Sequence, residues 1–301
     1  MRARRSLIDL DDLTGEELNG IFERARQFEQ QLPGSLLSGV AVVNLFFEQS
    51  TRTFTSFNLA ELRLGADVVN LSPKDLSLAT KGETVEDTLL TLAAMGVNVI
   101  VVRHPEAGFP HRVMLAFDGH VINAGDGAHA HPTQGLLDCF TLREEFGEVA
   151  GLRVAIVGDI IHSRVANSTI RGLRQLGADV TLVGPDYLLP DGYAHDGVRV
   201  ERDFDAVIPG VDALVLLRIQ RERFNTQNMS DTNYVQRYQL NAERLKHLPA
   251  RAIVMHPGPY NRGMELDDSV LTYAGWRYAT QVRNGVFIRM AVLDFLVNGT
   301  P

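Results

Sequence analysis

Between Asn44 and Phe57 the chain reads Asn-Leu-Phe-Phe-Glu-Gln-Ser-Thr-Arg-Thr-Phe-Thr-Ser-Phe, so hydroxyls and a guanidinium fall where an apolar strand gives way to a helix. Ser50, Thr51, Arg52 and Thr53 occupy the helix N-terminus, where free backbone N–H groups and the helix dipole favour an anion. With hydroxyl donors and a guanidinium added, this is a cradle suited to phosphate that needs no glycine-rich loop. A cation at this end is otherwise mildly unfavourable, by ~0.3–1 kcal/mol, so Arg52 is easier to account for with a ligand anion beside it. Ser50 and Thr51 could also do no more than cap the helix.

Other arginines stand at comparable junctions. Arg103 follows the apolar run Asn98–Val102, and the carboxyl ends of parallel strands face the ligand crevice; a surface arginine ending a strand is the alternative. Arg164 comes just after Gly158-Asp, and Arg218 closes the run Ala213–Leu217. Two such arginines could each hold one carboxylate of a dicarboxylic amino acid through paired N–H donors, with Gln220 supporting the second. Arg221 and Arg223 read as an ordinary charged face, and His129 and His162 as structural or surface residues.

The elements that must position these groups alternate. Strand-length apolar runs cover Val40–Phe47, Ala66–Leu71, Val97–Val102, His120–Asn123, Leu152–Val157, Asp179–Val183, Ala213–Leu217 and Ala252–Met255. Helical spacing covers Gly15–Glu29, Thr53–Leu64, Glu83–Met95, Pro132–Phe146, Arg164–Leu176 and Gly285–Leu296. This is the βαβ signature of an α/β protein with parallel sheets. The strands split into two groups of four, which predicts two similar-sized domains, residues 1–149 and 150–284, each a parallel β-sheet flanked by helices, with the helix 285–301 packing back on the first. Leu71–Gly82 and Gln220–Asn241 are polar and near or beyond the ~12–15 residues at which structureless loops become uncommon, as functional lids often are.

The bulk composition excludes several classes. At 301 residues, with 45% hydrophobic and 22% charged residues and no long apolar run, the chain has an ordinary globular mix and no membrane span. A net charge of −8 argues against nucleic-acid binding. The basic Met-Arg-Ala-Arg-Arg start is followed by acidic Asp9–Asp12 and not by a signal-peptide core, and the single cysteine, Cys139, suits a reducing compartment. A cytoplasmic location follows as the expectation, with no metal cluster built on cysteine.

Phe46-Phe-Glu-Gln-Ser-Thr-Arg-Thr-Phe-Thr-Ser-Phe resembles the carbamoyl-phosphate signature of the aspartate/ornithine carbamoyltransferase family. Further segments similar to that family's follow in order: Lys81-Gly-Glu-Thr, Arg103-His-Pro, Asn123-Ala-Gly-Asp-Gly, His131-Pro-Thr-Gln, Gly158-Asp, Ser163-Arg, Leu217-Arg-Ile-Gln-Arg-Glu-Arg, His256-Pro-Gly-Pro and Gly285-Val-Phe-Ile-Arg. The resemblance implies an active site in the interdomain cleft. There Ser50, Thr51, Arg52 and Thr53 hold the phosphate, and Arg103 reaches phosphate and carbonyl oxygen. His131 donates to that oxygen, Gln134 accepts from the carbamoyl amide, and the backbone carbonyls of Pro257 and Gly258 do the same. Arg164, Arg218 and Gln220 hold aspartate. Ser77 and Lys81 reach into the site of a neighbouring subunit, which implies a homotrimer with shared sites; Lys81 also serves aspartate. Read alone, His131 could cap the helix begun by Pro132, and Lys81 is a solvated loop lysine.

The reaction so implied joins carbamoyl phosphate to the α-amino group of L-aspartate, an early step of de novo pyrimidine biosynthesis, with no cofactor or metal. Thr53, Arg103 and His131, beside Arg52, stabilise the developing oxyanion. Assembly with regulatory chains or dihydroorotase is compatible with it. Three departures stand out: Phe54 replaces a usual arginine and is expected to pack at the helix start, Gln49 stands where proline is common, and Gly258 replaces a usual leucine or alanine. Ornithine or acetylornithine transfer is the nearest alternative, although the ornithine branch carries a cysteine where Pro257 stands. A nucleotide-binding Rossmann enzyme is suggested by Val154-Ala-Ile-Val-Gly-Asp, which lacks the second and third glycines of that fingerprint. A non-catalytic partner retaining the fold is a third reading, and the intact arginine set argues against it.

Overall fold

Unbroken runs of branched apolar residues form strands when both faces of a sheet are covered, and Val99, Ile100, Val101 and Val102 all have zero exposure. Burying each such side chain contributes about 1.5–3 kcal/mol. The computed structural model describes residues 5–72, 82–189, 191–193, 197–220 and 231–299. By its contacts the chain divides into two units, Met1–Leu137 with Val282–Pro301, and Asp138–Gln281.

In the first unit β1 (Ala41–Phe46), β2 (Asp67–Leu71), β3 (Val99–His104) and β4 (His120–Asp126) form a parallel sheet in the order β2-β1-β3-β4. The helices are α1 (Gly15–Gln30), α2 (Thr51–Leu64), α3 (Val85–Ala94) and α4 (Phe109–Ala116). Capping boxes start α1 (Thr14 with Glu17) and α3 (Thr84 with Asp87). Val43, Leu45, Ile100, Val102 and Val121 pack with Leu89, Leu92, Phe109 and Val113 in one core.

In the second unit β5 (Arg153–Val157), β6 (Asp179–Val183), β7 (Val198–Glu201), β8 (Ala213–Leu216) and β9 (Ile253–Met255) form a parallel sheet in the order β7-β6-β5-β8-β9. Helices α6 (Arg164–Gln175) and α7 (Asp231–Tyr238) and the short helical turns Phe204–Val207 and Ala242–Leu245 belong to this unit, while α5 (Pro132–Phe146) and α8 (Tyr278–Asn298) each contain one of the two divisions. Among the described residues no helix is long and apolar enough to cross a membrane.

Each half is thus a parallel sheet with helices, as the alternation predicts, with differences in detail. The second sheet has a fifth strand, because β7 is a four-residue edge strand whose Val-Arg-Val-Glu leaves only Val198 buried, too short and polar to read as a core run. Helix α4 also went unread, with Gly108 at φ 83° leading into it, and so did α7, which occupies Asp231–Tyr238 within the stretch Gln220–Asn241 that the sequence presents as a structureless loop. The sequence places domain breaks at 149/150 and 284/285, whereas the units divide at Leu137/Asp138 and Gln281/Val282. Both divisions fall inside helices, α5 and α8, where no turn residue marks them.

Candidate active site

Helix α2 begins immediately after β1, with Ser50 as N-cap accepting from Thr53 N at 3.4 Å. Unlike α1 and α3, it has no acidic residue in its first turn, so no carboxylate of its own meets its N-terminal partial charge. Arg52 is half-buried in that turn and Thr53 is buried. Phe54 packs edge to face on Phe46 with ring centroids 5.4 Å apart, an apolar clasp at the helix start worth about 0.5–1.5 kcal/mol. From α8, Arg289 Nη1 donates to Ser56 Oγ at 2.9 Å and the guanidinium lies 4.9 Å from the Phe57 ring, which anchors the next turn of α2.

Arg103, buried near the end of β3, is held on both sides. Its Nη1 donates to Ala124 O at 3.1 Å and its Nη2 to Glu48 Oε1 at 2.7 Å. The β3–β4 register slips between Val102 and His104, and such irregularities re-aim side chains at strand ends. Glu48, just past β1, received no role from the sequence.

The β4–α5 connection presents His131 and Gln134, both buried. Its shape comes from Asp126, which has zero exposure. Asp126 Oδ2 accepts from Gly108 N at 2.7 Å, Oδ1 accepts from Ala130 N at 3.1 Å and Asn123 Nδ2 at 2.8 Å, and His129 Nδ1 lies 3.1 Å away. His129 is structural, as expected, in partnering this carboxylate. Across the connection Thr53 Oγ1 and His131 Nε2 come to 3.4 Å, so the start of α2 meets the start of α5. Asp126→Ala strands several buried donors at about 1–3 kcal/mol each; we expect a loss of about 3 kcal/mol or more, read from the urea unfolding midpoint, with no loss if the connection holds its shape unaided.

In the second unit α6 repeats the pattern of α2: Ser163 caps it, accepting from Ala166 N at 3.1 Å, and its first turn has Arg164 and no acid. Gly158 makes the preceding turn at φ 126°, and a Cβ there would lie 2.9 Å from Leu217 O. Asp159 is fully buried beside it. Its Oδ1 accepts from His162 Nδ1 at 2.8 Å and His162 N at 3.3 Å, and its Oδ2 accepts from Gln220 N at 3.2 Å. Gln220 Nε2 donates in turn to His162 O at 2.9 Å. One carboxylate therefore ties the start of α6, with Arg164, to the segment after β8, with Arg218. His162, read as a structural or surface residue, is a half-buried member of this network.

After β9, His256 is fully buried and its Nδ1 accepts from Gly258 N at 2.8 Å. That leaves Nε2 as the protonated nitrogen, facing Glu265 Oε1 at 3.4 Å. Gly258 has φ 67°, which explains glycine in place of leucine or alanine: this backbone is costly for a residue with a Cβ. Pro257 and Gly258 are half-buried. Cys139 lies buried in α5, its thiol pushed well up by burial. Ser77 and Lys81 lie outside the described residues, as do Arg221 and Arg223.

Sequence reading thus missed Glu48, Asp126, Asp159 and Arg289. The available signal was their placement inside the similar segments, at strand ends for Glu48, Asp126 and Asp159 and within α8 for Arg289.

Two family models match nearly the whole chain: the carbamoyl-P binding domain of aspartate/ornithine carbamoyltransferase over residues 5–144 and its Asp/Orn binding domain over residues 150–296. The aspartate carbamoyltransferase catalytic subunit of Salinispora arenicola is 48% identical, covering 98% of each chain, and that of Thermobifida fusca is 48% identical over 97% of this chain and 95% of its own. Among solved structures, aspartate transcarbamoylase from Trypanosoma cruzi in complex with carbamoyl aspartate and phosphate superposes with a TM-score of 0.88 at 32% identity, covering 96% and 94% of the two chains. The catalytic subunit from M. jannaschii gives 0.87 at 32% identity, covering 98% of each. With its strand-end arginines, its acid-free helix starts and this similarity along almost its entire length, the chain belongs to the aspartate/ornithine carbamoyltransferase family.

Proposed function

We propose that the chain transfers the carbamoyl group of carbamoyl phosphate to the α-amino group of L-aspartate, giving N-carbamoyl-L-aspartate and phosphate in an early step of de novo pyrimidine biosynthesis. The observation that carries this reading is the pair of helix starts, α2 and α6, each with an arginine and no acid in the first turn. Ser50, Thr51, Arg52 and Thr53 hold the phosphate. Arg103, His131 and Thr53 face the carbonyl oxygen, while Gln134 and the carbonyls of Pro257 and Gly258 orient the amide. Arg164, Arg218 and Gln220 take the two carboxylates of aspartate, and Ser77 and Lys81 come from a neighbouring subunit. The neutral amine attacks the carbonyl carbon, a tetrahedral intermediate forms, the carbon–oxygen bond to phosphate breaks, and phosphate leaves with the amine proton. Positioning and oxyanion stabilisation supply the rate.

A trimer is part of this proposal. Supporting it, α2, α3 and the edge strand β2 leave Leu62, Leu90 and Met95 57%, 63% and 74% exposed, together with Leu59 and Val69, apolar side chains that a further copy of the chain could cover. Light scattering is expected to give the mass of three chains. A cytoplasmic location fits the single buried cysteine.

The purified chain is expected to form N-carbamoyl-L-aspartate and to be inert with ornithine. Arg52→Ala should lower the rate by about 10²- to 10³-fold. An unchanged rate and carbamoyl-phosphate dependence in that variant would remove the phosphate cradle from the reading.

A further inference from the structure

Glu61 sits within α2, about two turns beyond Thr53, with zero exposure and no part in the scheme above. Its Oε2 accepts from Asn44 Nδ2 at 2.7 Å, and the same amide donates to Asn70 Oδ1 at 3.0 Å. Asn58 Nδ2 also donates to Asn70 Oδ1, at 3.2 Å. Asn44 and Asn70 are register partners on β1 and β2, so the cluster joins α2 to both strands. The amide orientation of Asn44 is set by Asn70, since turning it over would aim its oxygen at Asn70 Oδ1, which already accepts from Asn58. Two buried oxygens then find no donor, Asn44 Oδ1 and Glu61 Oε1. When Glu61 is ionised both are acceptors only. A single proton on the carboxyl removes the buried charge and supplies a donor of the kind Asn44 Oδ1 lacks.

We propose that Glu61 is a positioning residue for the phosphate cradle: as a neutral acid paired with Asn44 it locks α2 onto β1, so that residues 50–53 meet the end of β1 in the arrangement phosphate needs. This rests on the carbamoyl-phosphate reading of those residues. Burial raises the carboxyl to about 7, with the Asn44 bond opposing the rise. The titratable and charged groups on the neighbouring elements are Arg52 and Arg63 on α2 itself, Asp67 on β2, Arg103 and His104 on β3, and Arg283, Arg289 and Asp294 on α8; among the described residues none contributes to this shift. The folded-state value lies above the reference 4.5, so the stabilisation from keeping the buried carboxyl neutral is full below pH 4.5 and is lost as pH rises through about 7. Above that point the cradle loses its anchor.

The test compares inorganic phosphate binding by the full chain and by Glu61→Gln at pH 6 and pH 8.5. Phosphate's own ionisation cancels in the ratio of the two dissociation constants. Glutamine keeps an acceptor and a donor but cannot ionise, so the ratio of wild type to variant should rise by about fivefold to tenfold between the two pH values. Infrared difference spectra of the unsubstituted protein supply a second measurement, in which a protonated-carboxyl band present at pH 6 should vanish by pH 8.5. A ratio that stays constant, or the lack of such a band at pH 6, overturns the proposal. A protein that shows the band but binds no phosphate at either pH would instead overturn the cradle, and the positioning role with it.

Discussion

Arg103→Ala is expected to lower kcat by about 10²- to 10³-fold while changing the KM for aspartate far less. The guanidinium is the buried cation at the end of β3, fixed by Ala124 O and Glu48 in directions set by two neighbouring strand ends. A donor held in place before reaction stabilises charge as it develops without reorganising, which is why the effect belongs in kcat. Arg103→Lys should recover little, since an ammonium cannot make both fixed bonds and still present a planar donor face. Stability should fall by only about 1–3 kcal/mol, because Glu48 is one-third exposed and keeps part of its hydration. Steady-state kinetics beside a urea melt separate the two effects. A variant with normal kcat and a lowered melt would reduce Arg103 to a strut.

The second large effect is expected from Asp159→Ala, which should reduce kcat/KM for aspartate by about 10²-fold or more while leaving phosphate binding near that of the unsubstituted chain. Asp159 accepts from His162 at Nδ1 and N and from Gln220 N, and each donor stranded in a buried setting costs about 1–3 kcal/mol. Two such losses, at about 1.4 kcal/mol per tenfold, are enough for the stated change once they displace Arg164 and Arg218. Asp159→Asn should fall between, since its one oxygen can serve only part of the set. Equal losses in aspartate and phosphate binding would instead mean general unfolding.

The two arginine-bearing helix starts were legible because helix capping and the helix dipole depend on residues within one turn. The strands of both sheets other than the edge strand β7 were legible for a similar reason, as continuous apolar runs require cover on both faces. Gly258 is an intermediate case. Its motif was readable, but the reason for glycine is a φ of 67°, which no composition rule reveals. Phe54 was read as an apolar clasp, and its partner proved to be Phe46.

By itself, then, the sequence determined the alternation of the buried strands and main helices, the chemistry offered at each strand-to-helix junction and the family to which the chain belongs. Only the tertiary structure decided which junctions serve one another. Thr53 lies beside His131, 78 positions away, Asp159 holds Gln220 across 61 positions, and Glu61 finds Asn44 through the register of β1 with β2. The physical reason lies in parallel pairing, which sets neighbouring strand ends about 4.8 Å apart whatever the length of chain between them. Buried carboxylates such as Asp126, Asp159 and Glu61 look like surface residues in a sequence, and become organising centres only when folding removes water and leaves hydrogen bonds as the way to keep them inside.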